Sequence, residues 1–231
     1  FVGNLADVQL SSGHYHAFVE LHIEQGPLLE QKNLPIGVVT AIAAPSTLTV
    51  TLEGYGGHAG ALLMPDRRDA LTAAAEIVLA AEEAARSSGS IDSVATVGIL
   101  DVHPRAVNSV PSKTFMTVDV RDIDLARRDR MIDHIKNAVK TVSSERKLTA
   151  KVETLNADPP ASCDNLIVAT IEESAKELGL QTLPMVSRAY HDTLFMARIC
   201  PVSMIFIPCK NGWSHRPDEY SSPEAIENGV K

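Results

Sequence analysis

The run Leu48-Thr49-Val50-Thr51-Leu52-Glu53-Gly54-Tyr55-Gly56-Gly57-His58-Ala59-Gly60 changes character within a few residues. Leu48, Val50 and Leu52 alternate with Thr49, Thr51 and Glu53. That period of two sets one face of a strand against a core and the other toward water. Glycines then break the pattern. Downstream, an alanine-rich stretch over 66–87 suits a helix, with Leu71, Ala74, Ala75 and Val78 on one face and Gly89 near its stop. Strands are expected at 94–100 and 115–121. A second helix is expected at 125–144, where Ile132, Ile135, Val139 and Val142 recur at helical spacing, and a last strand at 149–155. The order β-α-β-β-α-β is the split βαβ, or ferredoxin-like, unit. It is expected over residues 45–156.

On either side the pattern differs. Residues 17–23 and 36–43 are apolar runs that read as buried strands, the first ending at the turn signal Glu24-Gln25-Gly26-Pro27. After Asp158-Pro159-Pro160, Asp164 can cap a helix carrying Ile167, Ile171, Ala175 and Leu178, with Gly179 closing it. A short strand at 184–187 follows. Val202–Ile207 is continuously apolar, as a strand buried on both faces must be. The expected fold class is therefore α/β. Residues 1–44 and 157–231 read as two segments of one α/β domain, with the α+β module inserted between them.

Composition narrows the function. The chain has 231 residues and a formal net charge of -8, which argues against a general nucleic-acid binder. No apolar run approaches the roughly 20 residues that span a bilayer. Cys163, Cys200 and Cys209 form no CxxC pair and are odd in number, so a disulfide framework is not expected and a reducing compartment is. Cys200 and Cys209 flank the apolar run and read as core residues. Phe1 is neither an initiator methionine nor part of a signal-peptide pattern, so the chain reads as cut from something longer.

Several polar residues sit where chemistry is built. His22 ends the first strand, and His215 follows the Val202–Ile207 run; ligands of open α/β sheets gather beyond strand carboxyl ends. Alone, either histidine is more often a surface or satisfied core residue than a ligand. His58 lies among small residues that permit close approach, or in a plain turn. Asn108 falls between two strands of the middle module. Arg121 ends a strand in Asp119-Val120-Arg121-Asp122, where its fork suits a carboxylate ligand or an ion pair with Asp119 or Asp122. His191-Asp192 places a carboxylate beside an imidazole, although adjacent residues often point apart. No GxSxG, Walker or Rossmann glycine pattern is present.

Taken together, 18–26, 57–60, 107–111, 118–121, His191-Asp192 and 204–219 resemble, in collinear order, the allantoate, N-carbamoyl amino acid and ureidoglycolate amidohydrolases. That group lies within the aminoacylase and carboxypeptidase-like two-metal hydrolases. Ser187-Arg188-Ala189-Tyr190-His191-Asp192 and Met204-Ile205-Phe206-Ile207-Pro208-Cys209 are most similar to its ureidoglycolate branch. Allantoate and carbamoyl enzymes typically carry Gly-Ala-Gly where this chain has Arg188-Ala189-Tyr190.

The resemblance implies an α/β metallohydrolase domain with an inserted dimerisation domain, and hydrolysis of a small ureido acid with release of ammonia. It implies two divalent ions, manganese first and zinc, cobalt or nickel as alternatives, with His22 and His215 among the ligands. It gives His58 the task of polarising the scissile carbonyl in the partner subunit's site, and makes Gln25, Asn108, Arg121, Tyr190 and His191 substrate contacts. A homodimer follows, with neither nucleic acid nor membrane as partner. The resemblance leaves the compartment open between the cytoplasm and, for a plant-type ureidoglycolate enzyme, the endoplasmic reticulum lumen. The family's His-x-Asp pair, Glu-Glu pair and bridging carboxylate have no match in these residues. The chain is accordingly expected to be a C-terminal portion and inactive alone. A non-catalytic dimerisation and substrate-binding module is the alternative of another class.

Overall fold

A computed structural model describes residues 3–231. The chain enters through β1 (Phe18–Ile23), α1 (Leu28–Lys32) and β2 (Ile36–Ile42). It continues through β3 (Ala44–Glu53), β4 (Gly57–His58), α2 (Ala70–Arg86), β5 (Val94–His103), β6 (Ser109–Val110), β7 (Lys113–Asp122), α3 (Leu125–Glu145) and β8 (Thr149–Ala157). It ends with β9 (Ala161–Ser162), α4 (Asn165–Glu177), β10 (Thr182–Ser187), α5 (Asp192–Met196), β11 (Val202–Ile207) and α6 (Pro223–Val230). These elements fall into two compact units, residues 44–159 and the combined 1–43 and 160–231.

The unit of residues 44–159 is built on a four-stranded antiparallel sheet of order β5-β7-β3-β8. With α2 and α3 this is the ferredoxin-like arrangement. The alternation in β3 does what a period of two requires: Leu48, Val50 and Leu52 are fully buried. Beside them lie Met116, Val118 and Val120 of β7, packed with Ala73, Ala74 and Ile77 of α2 and Ile135 and Val139 of α3. The alanines of α2 let helix and sheet approach closely, and each fully buried large side chain contributes about 1.5–3 kcal/mol. The helix starts later than the alanine-rich composition suggests. Met64-Pro65-Asp66 forms a 3-10 turn, and the Asp69 carboxylate caps α2 by accepting from the amides of Leu71 and Thr72. The opposite face of the sheet is polar and carries Thr47 paired with Asp119 and Pro45 paired with Arg121.

The unit of residues 1–43 and 160–231 holds a five-stranded mixed sheet. Its path is β1-β11-β2-β10, and β9 also pairs with β2. β1 runs parallel to β11 and β2 parallel to β10, whereas β11 and β2 are antiparallel. Val202–Ile207 is a strand in full, buried at five of its six positions. Asp164 caps α4 through the amides of Leu166 and Ile167, and Ser222 caps α6, which opens with Pro223. All three cysteines are buried and free, and burial pushes the Cys163 thiol up to about 11. No helix among the described residues is long and apolar enough to cross a membrane.

Candidate metal centre and neighbouring site residues

Period two along β1 puts Glu20 and His22 on one face of the strand. β10 ends at Ser187, and four residues later His191 stands at the N-cap of α5. That connection brings His191 beside β1. The rings of His22 and His191 meet edge to face with centroids 4.6 Å apart. Glu20, His22 and His191 each offer a ligand atom, and the three atoms lie within 4.8 Å of one another. Ligands about 2.1 Å from a tetrahedral ion stand about 3.4 Å apart, so small side-chain shifts let these donors close on one cation.

Each of the three is oriented by a second group, as ligands of a metal commonly are. His22 Nδ1 is 2.8 Å from the Ile23 carbonyl. Donation there leaves Nε2 with a lone pair for a cation. His191 Nε2 lies 2.7 Å from Ser187 Oγ, while its Nδ1 is 3.8 Å from Glu20 Oε1. The other Glu20 oxygen accepts from Thr193, from the amide at 2.9 Å and from the hydroxyl at 2.5 Å. Burial and then the neighbouring His22 hold the His191 imidazole down to about 4, against the opposite pull of Glu20 and Asp192. His191 is therefore neutral at physiological pH, the form that ligates. Two histidines and a carboxylate suit borderline divalent ions and do not distinguish manganese from zinc, cobalt or nickel.

The other residues of this unit are arranged around the same strand end. Within His22-Ile23-Glu24-Gln25, Glu24 accepts from the amides of Leu28 and Leu29 and so anchors the start of α1. Gln25 adopts a left-handed backbone, φ 56°, and its Nε2 donates to Ser214 Oγ at 2.9 Å. Its Oε1 is buried without a hydrogen-bond partner, an acceptor in want of a donor. Gly212, at φ 68°, packs where a Cβ would sit 2.5 Å from Gly26 C, so glycine lets the 210–215 segment lie on the turn after β1. His215 is exposed, with its amide bonded to Glu219 Oε2 at 2.9 Å. It is not one of the three groups that meet at β1. Tyr190 is half exposed and stacks edge to face on Phe195, centroids 5.3 Å apart.

His58, Asn108 and Arg121 belong to the unit of residues 44–159. His58 pairs with Ser109 in the β4–β6 ribbon, and the Ala59 amide donates to the Asn108 carbonyl at 2.9 Å, so His58 and Asn108 are neighbours. His58 thus ends the two-residue β4 and opens the turn that follows it. Arg121 engages Asp119 through Nε at 2.7 Å and Nη2 at 3.2 Å. Of the two ion pairs open to it in sequence, Asp119 is the one it makes. Asp122 is taken by Arg127 and Ser93.

Reading the sequence missed Glu20, Ser187 and Thr193. The signal for Glu20 was available, since it stands two residues before His22 on a strand. Ser187 and Thr193 flank His191 but carry no motif, and only the fold shows that they hydrogen-bond His191 and Glu20.

The profile described as Peptidase family M20/M25/M40 matches residues 3–231. A ureidoglycolate hydrolase of Arabidopsis thaliana is 56% identical over 99% of this chain and 48% of its own length. An allantoate amidohydrolase of Escherichia coli is 37% identical over 93% of this chain and 52% of its own. Among solved structures, AtUAH in complex with glyoxylate superposes with a TM-score of 0.87 at 56% identity, covering 96% of this chain and 52% of that one. A hydantoinase/carbamoylase-family amidase from Burkholderia multivorans gives the same TM-score, 0.87, at 36% identity, covering 93% of this chain and 52% of that one. The chain spans about half the length of the curated relatives it matches.

Proposed function

The chain belongs to peptidase family M20/M25/M40, and from that premise we propose that the protein carrying it is a metal-dependent amidohydrolase acting on a small ureido acid, ureidoglycolate first. Water adds to the ureido carbonyl carbon. The bond to the terminal nitrogen breaks as that nitrogen takes up a proton, and ammonia leaves while the carbonyl carbon stays on the other nitrogen as a carbamate. The observation that carries this reading is the convergence of Glu20, His22 and His191 in a chain 56% identical to a ureidoglycolate hydrolase.

A ureido carbon is a poor electrophile because two nitrogens donate into its carbonyl. When bound, a divalent cation supplies Lewis-acid activation of water and carbonyl at neutral pH. Glu20 and His22 would hold it, with His191 as a third donor or as a hydrogen-bond partner of the substrate, and His215 as a further ligand. Ser187 and Thr193 keep His191 and Glu20 aimed. His58 would donate from its ring to the developing oxyanion, where a placed donor is worth most. Arg121, aligned by Asp119, would grip the substrate carboxylate, and Asn108 and Gln25 the ureido polar atoms. The unpartnered Gln25 Oε1 is an acceptor suited to a ureido N–H. Tyr190 would shorten the pocket in favour of a small hydroxy acid. We further read the protein as a homodimer in which His58, on the β4–β6 ribbon of the unit of residues 44–159, serves the neighbouring copy.

A substrate panel tests the reading: ureidoglycolate, allantoate and an N-carbamoyl amino acid, each with manganese, zinc, cobalt or chelator present. Metal-dependent ammonia release greatest from ureidoglycolate is expected, and Tyr190→Gly should lower the preference over allantoate. Preference for allantoate or the carbamoyl substrate moves the assignment within the group. Chelator-insensitive activity, or none on any of the three, overturns it.

A further inference from the structure

His58 is held by a loop that closes on itself. Over residues 54–68 the ends meet, with the Tyr55 amide donating to the Arg68 carbonyl at 3.0 Å. A Cβ on Gly54 would stand 1.9 Å from that carbonyl oxygen, so glycine is required for the closure. Compact loops with joined ends are held together by their own side chains, and here the side chain is Arg67. Its Nε donates to the Leu62 carbonyl at 3.0 Å and its Nη2 to the Ala59 carbonyl. The His58 carbonyl accepts from the amides of Ala61, at 3.1 Å, and Leu62, at 3.0 Å. That turn carries the Gly60 amide to His58 Nδ1 at 3.1 Å.

A neutral imidazole carries one proton, and a ring nitrogen that accepts an N–H bond does not bear it. The Gly60 amide therefore assigns the proton of neutral His58 to Nε2, the nitrogen away from the turn. We propose that Arg67 is a positioning residue for His58: its fork pins the Ala59–Leu62 turn, which fixes the Nε2–H tautomer and turns that donor outward. Lysine could satisfy one of the two carbonyls but has no planar pair of donors to span both. The proposal rests on the reading of His58 as the group that polarises the carbonyl, but the tautomer itself is measurable without turnover.

The test is a 15N ring-nitrogen spectrum of His58 near pH 8, above the ordinary histidine range, in the wild type, Arg67→Ala and Arg67→Lys. The wild type should show Nε2–H as the dominant tautomer. Arg67→Ala should shift the two nitrogens toward an averaged mixture, and Arg67→Lys should lie between. Millimolar ethylguanidinium should restore the Arg67→Ala spectrum. The same variants should lose on the order of tenfold in kcat with little change in KM. If Arg67→Ala misfolds, Arg67→Lys carries the comparison. A wild-type tautomer mixture, or the same Nε2–H dominance in both variants, overturns the proposal whatever the activity does. His58→Ala tests the underlying reading separately. If it keeps full activity while the tautomer shifts as expected, the catalytic reading fails and the positioning by Arg67 stands.

Discussion

Ser187 shows how one hydroxyl can orient an imidazole at a candidate metal site. Its Oγ lies 2.7 Å from His191 Nε2, in a buried position 1% exposed. Ser187→Ala should therefore leave the fold intact but loosen the ring, weakening manganese or zinc affinity by about 10- to 100-fold, the usual effect of removing such a partner. Isothermal titration reads this directly, and an unchanged dissociation constant would take Ser187 out of the role. Arg121 makes a different kind of contribution. Its bidentate pair with Asp119 presents a planar fork, which lysine cannot reproduce. Arg121→Lys is expected to lower kcat/KM by about 2 kcal/mol, mostly through KM. A kcat/KM equal to wild type would take Arg121 out of the carboxylate role.

Among the elements, the junction of β5, β7 and α3 turns on one carboxylate. Asp122 is fully buried at the end of β7 and accepts from Ser93, from the Asp124 amide and from both ends of the Arg127 fork. Burial alone would raise its carboxyl, but these donors outweigh burial and hold it below the ordinary carboxylate value. A depressed folded value means that the stabilisation is present above the unfolded value and is lost as pH falls through the folded one. Asp122→Asn should cost about 3 kcal/mol at neutral pH, seen as a lower denaturant midpoint with unchanged slope. The difference from wild type should shrink below about pH 4. A pH-independent difference would contradict the assignment.

The same elements show what could be read in advance. Val202–Ile207 was legible to the residue because a strand buried on both faces leaves a continuous apolar run. The β-α-β-β-α-β order was legible because its periods are long. β4 and β6 were not, since two residues carry no period, and neither was the five-residue α5. That loss mattered at the candidate site. His22 was visible as a strand-end histidine, but its meeting with His191 depends on the β10–α5 connection, which no local pattern reports.

For the molecule as a whole, the trans role proposed for His58 makes a prediction about mixtures. His58→Ala and His215→Ala homodimers should each be nearly inactive. Unfolded and refolded together, about half the dimers would be mixed, each with one site free of both defects, giving roughly a quarter of wild-type activity per site. Activity that stays at the level of the separate mutants would place His58 in its own chain's site. The proposal beneath all of this is that a divalent cation binds at Glu20 and His22, with His191 beside it. Manganese added stepwise to 15N- and 13C-labelled protein tests it, because the paramagnetic ion broadens the signals of nearby nuclei first. The ring signals of His22 and His191 should vanish at substoichiometric metal, ahead of those of His103 and His134, and should persist in Glu20→Gln at the same metal level. Broadening of all histidines in parallel, or of none at stoichiometric manganese, would contradict it.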